Sequence, residues 1–323
     1  MTRAPRASTG LVIAVVAAVL FSVNGTVSKV VLQHGLSSLE LVSVRSAGTA
    51  LVLLGITATT RPRALRVGWR ELGFLVAYGV TGIAMVQWLY FVALQRLPVG
   101  VALLFEYTAP LMVALWVRFV QRQPVRSRLW LGLACALGGL ALVAQFWKGL
   151  VLDPLGLVSA VGAGAALATY YLMGEAGQRQ RDPISLMGFS FGFSAVLWAA
   201  VQPWWTFPFD RMGQAVELPG AVPGAAPLWL LVLWVILLGT VAPFLLVLVA
   251  VTHLGAARVG LVGMLEPVGA GVIAWVLLGE SLTPVQVAGS VVVLVGIALA
   301  ETARQQVGPP AEEATPLPEG VAP

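Results

Sequence analysis

The sequence predicts an all-α integral membrane protein of ten transmembrane helices, arranged as two five-helix repeats of inverted topology. Three observations carry that reading. Of 323 residues, 59% are hydrophobic and only 10% charged, with a mean hydropathy of +0.90, far from the balance of a soluble domain. Apolar runs of about 20 residues, long enough to cross a hydrocarbon core of roughly 30 Å as helix, recur ten times between short polar joints. The chain also matches itself. A shift of 157 residues places Leu97 on Leu254, Pro110 on Pro267, Gly132 on Gly289 and Gly139 on Gly296 without a gap.

The spans read from the apolar runs are 11–32, 39–59, 71–94, 98–118, 129–147, 155–176, 184–201, 228–252, 256–278 and 284–302. They are too long, and too uniformly apolar, to be barrel strands. In the first span, Arg3 and Arg6 before an apolar run imitate a signal peptide, but hydrophobicity continues to Leu32 and no small-residue cleavage site follows. This span has its own counterpart: at an offset of 146, Gly10, Ala14, Ala17 and Asn24 fall on Gly156, Ala160, Ala163 and Tyr170. The repeats therefore cover 11–147 and 152–302, between an amino-terminal tail, 1–10, and a Pro- and Glu-rich tail, 303–323, whose composition predicts disorder. Five spans per repeat is an odd number, so the second copy must enter the membrane from the opposite side, the arrangement that builds alternating-access carriers. The longest joint, 202–227, opens with Trp204, Trp205, Phe207 and Phe209, which suit either an interfacial aromatic belt or a loosely ordered loop.

Charge sets orientation. Alternating the joints between two sides puts fourteen Lys and Arg on one side, 61–70 and 118–128 among them, and three on the other, Arg96, Lys148 and Arg211, with Lys29 and Arg45 inside spans. The positive-inside rule then places both termini in the cytoplasm, in a cell (inner or plasma) membrane. The net charge of +5 is spread over these joints, which argues against a nucleic-acid partner. One cysteine, Cys135, and two distant histidines, His34 and His253, exclude a disulfide and leave no metal site to expect.

Chemistry is expected where polarity interrupts the spans. Glu106 and Glu266 lie near the middles of spans four and nine, where a charge is expensive and must face a bundle interior or a wet cavity. Each is a candidate for binding a proton or a substrate amine; the bland alternative is a protonated carboxyl bonded to a carbonyl freed by the nearby Pro110 or Pro267. Those two prolines are hinge candidates. Arg45, about a turn and a half inside span two, pairs with Glu40 or with a substrate carboxylate. Asn24, Trp88, Tyr90, Tyr107, Thr108, Tyr170 and Ser190 complete the candidate binding set, although each alone is more often a packing residue. Gly188-Phe189-Ser190-Phe191-Gly192 fits the letters of a hydrolase elbow, but it lies inside an apolar span without a histidine nearby and equally spells a GxxxG packing face.

With the paired halves, the stretch VALLFEYTAP at 101–110 and the closing pattern EPVGAGVIAWVLLGESLTPVQVAGSVVVLVGIAL, the chain resembles the EamA-type drug/metabolite transporters. Glu106-Tyr107-Thr108-Ala109-Pro110 is similar to the threonine and homoserine exporter branch. The first half departs from the pattern, with Arg122-Gln123 where the second has Gly279-Glu280. The resemblance implies a carrier with a central cavity lined by spans one to four and six to nine, spans five and ten lying outside it. The function to expect is export of small metabolites, amino acids or related amines. Alternatives are the same fold as an uptake permease, a multidrug or nucleotide-sugar carrier, and, less in keeping with the residues, a membrane enzyme or lipid flippase. No nucleotide-binding loop is present, no cofactor is expected, and the partners are a small-molecule substrate, a proton as candidate coupling ion, and the bilayer.

The charge asymmetry makes a direct prediction. With Cys135 replaced, an impermeant thiol reagent applied to intact cells should label a cysteine at position 214 and leave one at position 63 unmodified; the opposite pattern would invert the orientation.

Overall fold

The computed structural model describes residues 7–97, 99–145, 153–218, 224–278 and 282–301. The tails at 1–6 and 302–323, Lys148, and Gly279 to Ser281 of the closing motif lie outside the described residues. Helices α1 (Ala7–Gln33) and α2 (Ser38–Thr60) are followed by a third span in which α3 (Trp69–Ala77) and α4 (Met85–Leu94) are joined by a π-helical turn, Tyr78–Ala84. The fourth span is divided into α5 (Val99–Glu106) and α6 (Ala109–Leu115), and α7 (Ser127–Ala144) closes the first half. The second half runs α8 (Pro154–Gly177), α9 (Pro183–Val201), α10 (Leu228–Ile236), a π turn at Leu237–Val241, α11 (Ala242–Leu254), α12 (Ala256–Gly263), α13 (Leu265–Leu278) and α14 (Pro284–Glu301). Among the described residues nine stretches are long and apolar enough to cross a membrane; a tenth apolar helix, Pro284–Ala300, is shorter.

Helix starts follow from local chemistry. Ser37 caps α2 and Glu40 reaches back to the Ser37 amide at 2.6 Å, while Asp153 and Asp182 cap α8 and α9, each ahead of a proline at the first helical position. The aspartates and the serine satisfy amides that would otherwise be orphaned at the membrane boundary.

The expectation of an all-helical chain needs one correction. Within 202–227, β1 (Ala215–Glu217) pairs antiparallel with β2 (Ala225–Pro227), Val216 facing Ala226. The ribbon forms because Val216 and Ala226 alternate inward onto the core with Phe207, while the flanking residues face out. Trp205 and Phe209 remain exposed. The spans also begin earlier than expected: α1 starts at Ala7, so residues 7–10 belong to the bundle and not to a tail. Gly10 shows why, since a β-carbon there would lie 2.5 Å from His253 Cβ.

Packing repeats with the sequence offset. The Gly10 contact with His253 and Leu254 is matched by Gly156 against Arg96 and Leu97. In the same way α1 lies on α11 and α13, while α8 lies on α4, α5 and α6. Helix α2 crosses α9, where Ser46 and Ser194 share a hydrogen bond of 3.2 Å and Gly188 admits Leu54. The closest helix pair is α7 with α14. A β-carbon on Gly139 would sit 2.6 Å from Val293 N and 2.7 Å from Gly289 O, and one on Gly132 would sit 2.6 Å from Gly296 O. In a bilayer no hydrophobic effect drives helices together, so this backbone contact through glycines supplies the packing.

The side on which α1, α3 and α9 begin, hereafter the near side, is tied by charge. Arg61 pairs with Asp182 at 3.1 Å. Arg181, its side chain 7% exposed, binds Glu71 at 2.5 Å, donates to the carbonyls of Ala64 and Arg66, and lies 5.0 Å over the Phe189 ring. A crevice of about 90 Å³ opens beside it, lined by Glu71, Phe74, Gly177 and Leu186. For Asp182, burial works upward, but the Ser185 hydroxyl and amide and the Arg61 guanidinium prevail and hold the carboxyl below its ordinary range. On the opposite, far side, Arg211 donates to Gly35 O at 2.9 Å, and Arg96 stands 3.8 Å from Asp153.

The α7–α14 seam gives a paired test. Gly138 has open space beside it, so Gly138→Ala should raise the thermal midpoint slightly through helix propensity, worth up to about 1 kcal/mol. Gly139→Ala should lower it, by an amount corresponding to about 1–3 kcal/mol of overpacking. Equal effects of the two in thermal unfolding of purified protein would refute the close contact.

Candidate functional site

The site begins at two broken helices. Pro110 has no amide hydrogen, so the Glu106 carbonyl loses its helical donor; Pro267 does the same to Gly263. At the first break Thr108 turns back, its amide and hydroxyl both donating to Phe105 O, at 3.1 and 2.6 Å. At the second, Met264 donates to Leu261 O. The breaks coincide under the 157-residue shift, which lays Val99–Glu106 on Ala256–Gly263. A β-carbon on Gly164 of α8 would lie 2.8 Å from Phe105 O and 3.0 Å from Glu106 O, so glycine is what lets α8 cover the loosened turn.

The two breaks meet. Tyr107 of the first half donates its hydroxyl to Glu266 Oε2 of the second at 2.6 Å. Ser22 of α1 donates to the Glu266 backbone carbonyl at 2.9 Å. Gly260 faces Pro110 and Tyr171, and Gly263 faces the Tyr171 hydroxyl, each at 3.2 Å from an added β-carbon. Glu266 occupies the first turn of α13, where the helix dipole favours a negative side chain. Glu106, 8% exposed, closes α5 and feels the Glu266 charge, but the described residues offer its carboxylate no hydrogen-bond donor. The pair is therefore unequal: Glu266 is held, Glu106 is open.

Around them lie Tyr90, half-buried, and Tyr171, buried, both within electrostatic reach of the two carboxylates. Arg45 is buried on the far side of the same region; its Nε donates to Thr240 Oγ1 at 3.2 Å, and Thr240 in turn covers the Val235 carbonyl left by the π turn. The expected Arg45–Glu40 pair does not form, because Glu40 is spent on the cap of α2. Asn24 is buried against Gly239 in that π turn, and Tyr170 faces Gly82 in the other, so the two residues matched at offset 146 take equivalent places. Tyr170 donates to Phe244 O at 3.2 Å and accepts Tyr78 at its own backbone carbonyl at 3.1 Å, within an aromatic cluster that includes Phe21 and Phe191.

Two candidates fall outside this group. Ser190 donates to Leu186 O and packs its backbone on Gly79, which is structural use of the GFSFG stretch. Trp88 is exposed, at 42%. Thr108 lies at the break, but its hydroxyl is consumed locally. Sequence reasoning missed Ser22 and Thr240; the only signal either carries is a lone hydroxyl inside an apolar span, Ser22 two residues before Asn24 and Thr240 directly after Gly239.

Comparison with known proteins agrees with this architecture. The threonine/homoserine exporter RhtA of Escherichia coli is 30% identical over 237 residues, 73% of this chain and 74% of its own. A probable 4-amino-4-deoxy-L-arabinose-phosphoundecaprenol flippase subunit, ArnE of Pseudomonas fluorescens, is 35% identical over 77 residues, 24% of this chain and 66% of its own. A solved crystal structure superposes with a TM-score of 0.73 at 17% identity, covering 94% of this chain and all of that one. The model of the EamA-like transporter family matches twice, over residues 8–145 and 154–302, and the chain belongs to that family.

Proposed function

We propose that the protein is a secondary transporter that exports small metabolites, amino acids or related amines, by alternating access of two inverted five-helix halves. The observation that carries this is the open carboxylate of Glu106 at the crossing of two broken helices, beside a second carboxylate already held by Tyr107. At membrane depth such a group needs a counter-charge or a proton. A substrate ammonium supplies the first and a coupling proton the second, and the two exclude one another, so exchange between them links substrate release to proton entry. Glu266 biases that exchange, since two adjacent anions are costly at this depth. Tyr90, Tyr107, Tyr171 and Arg45 complete the polar surroundings.

The ten-helix inverted repeat draws support from packing that recurs at offsets of 157 and 146: the breaks, the π turns, the paired glycines and the Asn24 and Tyr170 positions. Residues 11–147 and 152–302 are then the two moving units, and Pro110 and Pro267 the points where each can flex. With the near side cytoplasmic, as the charge bias requires, the Arg61–Asp182 and Arg181–Glu71 ties close the inner gate. Export of an amino acid is favoured over lipid translocation because likeness to the exporter extends over 73% of the chain and likeness to the flippase subunit over 24%.

Glu106→Gln tests the reading. The amide keeps shape and hydrogen bonding but cannot titrate, so the variant should fold, reach the membrane and bind substrate weakly, with proton-driven flux reduced at least about tenfold. Flux in proteoliposomes under an imposed pH gradient measures this. Retention of wild-type, pH-dependent flux would remove Glu106 from the coupling role and leave Glu266 as the carboxylate to examine.

A further inference from the structure

We infer that Arg45 is the carboxylate-reading residue of the central site and restricts the cargo to zwitterionic α-amino acids, with simple amines disfavoured. The inference rests on the exporter reading and narrows it. A guanidinium carries five N–H donors in a planar fork. In Arg45 only Nε is engaged, by Thr240 Oγ1 at 3.2 Å, and among the described residues no carboxylate comes within ion-pair distance. The terminal nitrogens thus hold four donors for which the described residues supply no acceptor, on a side chain 8% exposed. The acid nearest in sequence, Glu40, is committed to the Ser37 amide.

Glu266 shares the field of Arg45, yet its carboxylate is already taken by the Tyr107 hydroxyl, and its backbone carbonyl by Ser22. The Arg45 fork and the open carboxylate of Glu106 therefore both lie within electrostatic reach of Glu266. An α-amino acid presents the complementary pair, a carboxylate that accepts two parallel N–H bonds and an ammonium one carbon away. The Thr240 contact, anchored through the Val235 carbonyl of the π turn, holds the guanidinium by its Nε edge and leaves the other edge for the ligand.

The test compares an amino acid with its decarboxylated partner: L-homoserine against 3-aminopropan-1-ol, each as a competitor of labelled homoserine flux and in thermal stabilisation of the purified full-length protein. Wild type should prefer homoserine by at least about tenfold. Arg45→Gln should lower homoserine affinity to that of the amine, without weakening the amine, and Arg45→Lys should fall between because it keeps charge and loses the fork. Should Arg45→Gln fail to fold, Arg45→Lys alone decides, by whether the preference shrinks. A preference that survives both substitutions, or a loss shared equally by both ligands, overturns the carboxylate role while leaving the exporter reading intact. A wild-type protein that moves neither compound overturns both.

Discussion

A carboxylate at the depth of the hydrocarbon core must be given a partner or a proton, and a backbone broken there must be covered by protein. Much of this bundle answers those two demands. Pro110 and Pro267 open the fourth and ninth spans, and the freed turns are covered by what the neighbouring helices lack: side-chain volume at Gly164, Gly260 and Gly263. The openings bring Glu106 and Glu266 together, and Tyr107 crosses from one half to the other to hold the second. The polarity of the centre is thus inseparable from the helix breaks that expose it.

The same economy recurs on the third and eighth spans. A π turn widens each helix by one residue per turn, and Gly82 and Gly239 admit Tyr170 and Asn24 at matching places. The cost of the widened turn at the second site is met partly by Thr240, whose hydroxyl covers Val235 O and steadies Arg45. By contrast α7 and α14 carry no such irregularity and meet along bare glycine backbone.

Legibility in the sequence followed the range of the interaction. The breaks and the depth of the two glutamates were readable because proline and charge are rare in apolar runs, and because Pro110 and Pro267, like the matched glycines of spans five and ten, recur at a fixed offset. The π turns were not, since a one-residue widening leaves hydropathy unchanged. The Arg45–Glu40 expectation failed although its correction was present: in Ser37-Ser38-Leu39-Glu40 a serine is followed three residues on by a glutamate, which is a capping box, and a capping glutamate is not free to pair. The ribbon at Val216 and Ala226 escaped because six residues of weak alternation carry little signal amid prolines. Ser22 and Thr240 acquire their roles only from helices distant in sequence.

Alternating access requires the halves to rock about the crossing of the broken helices, closing one side as the other opens. Pulsed electron-spin distances report this directly, with labels at Arg63 and Gln180 on the near side and at Gln33 and Gln214 on the far side, all exposed. Under a substrate and proton gradient the near-side distance should lengthen as the far-side distance shortens, with both populations present in one sample. Distances that stay fixed on both sides while substrate crosses the membrane would contradict the rocking of the halves.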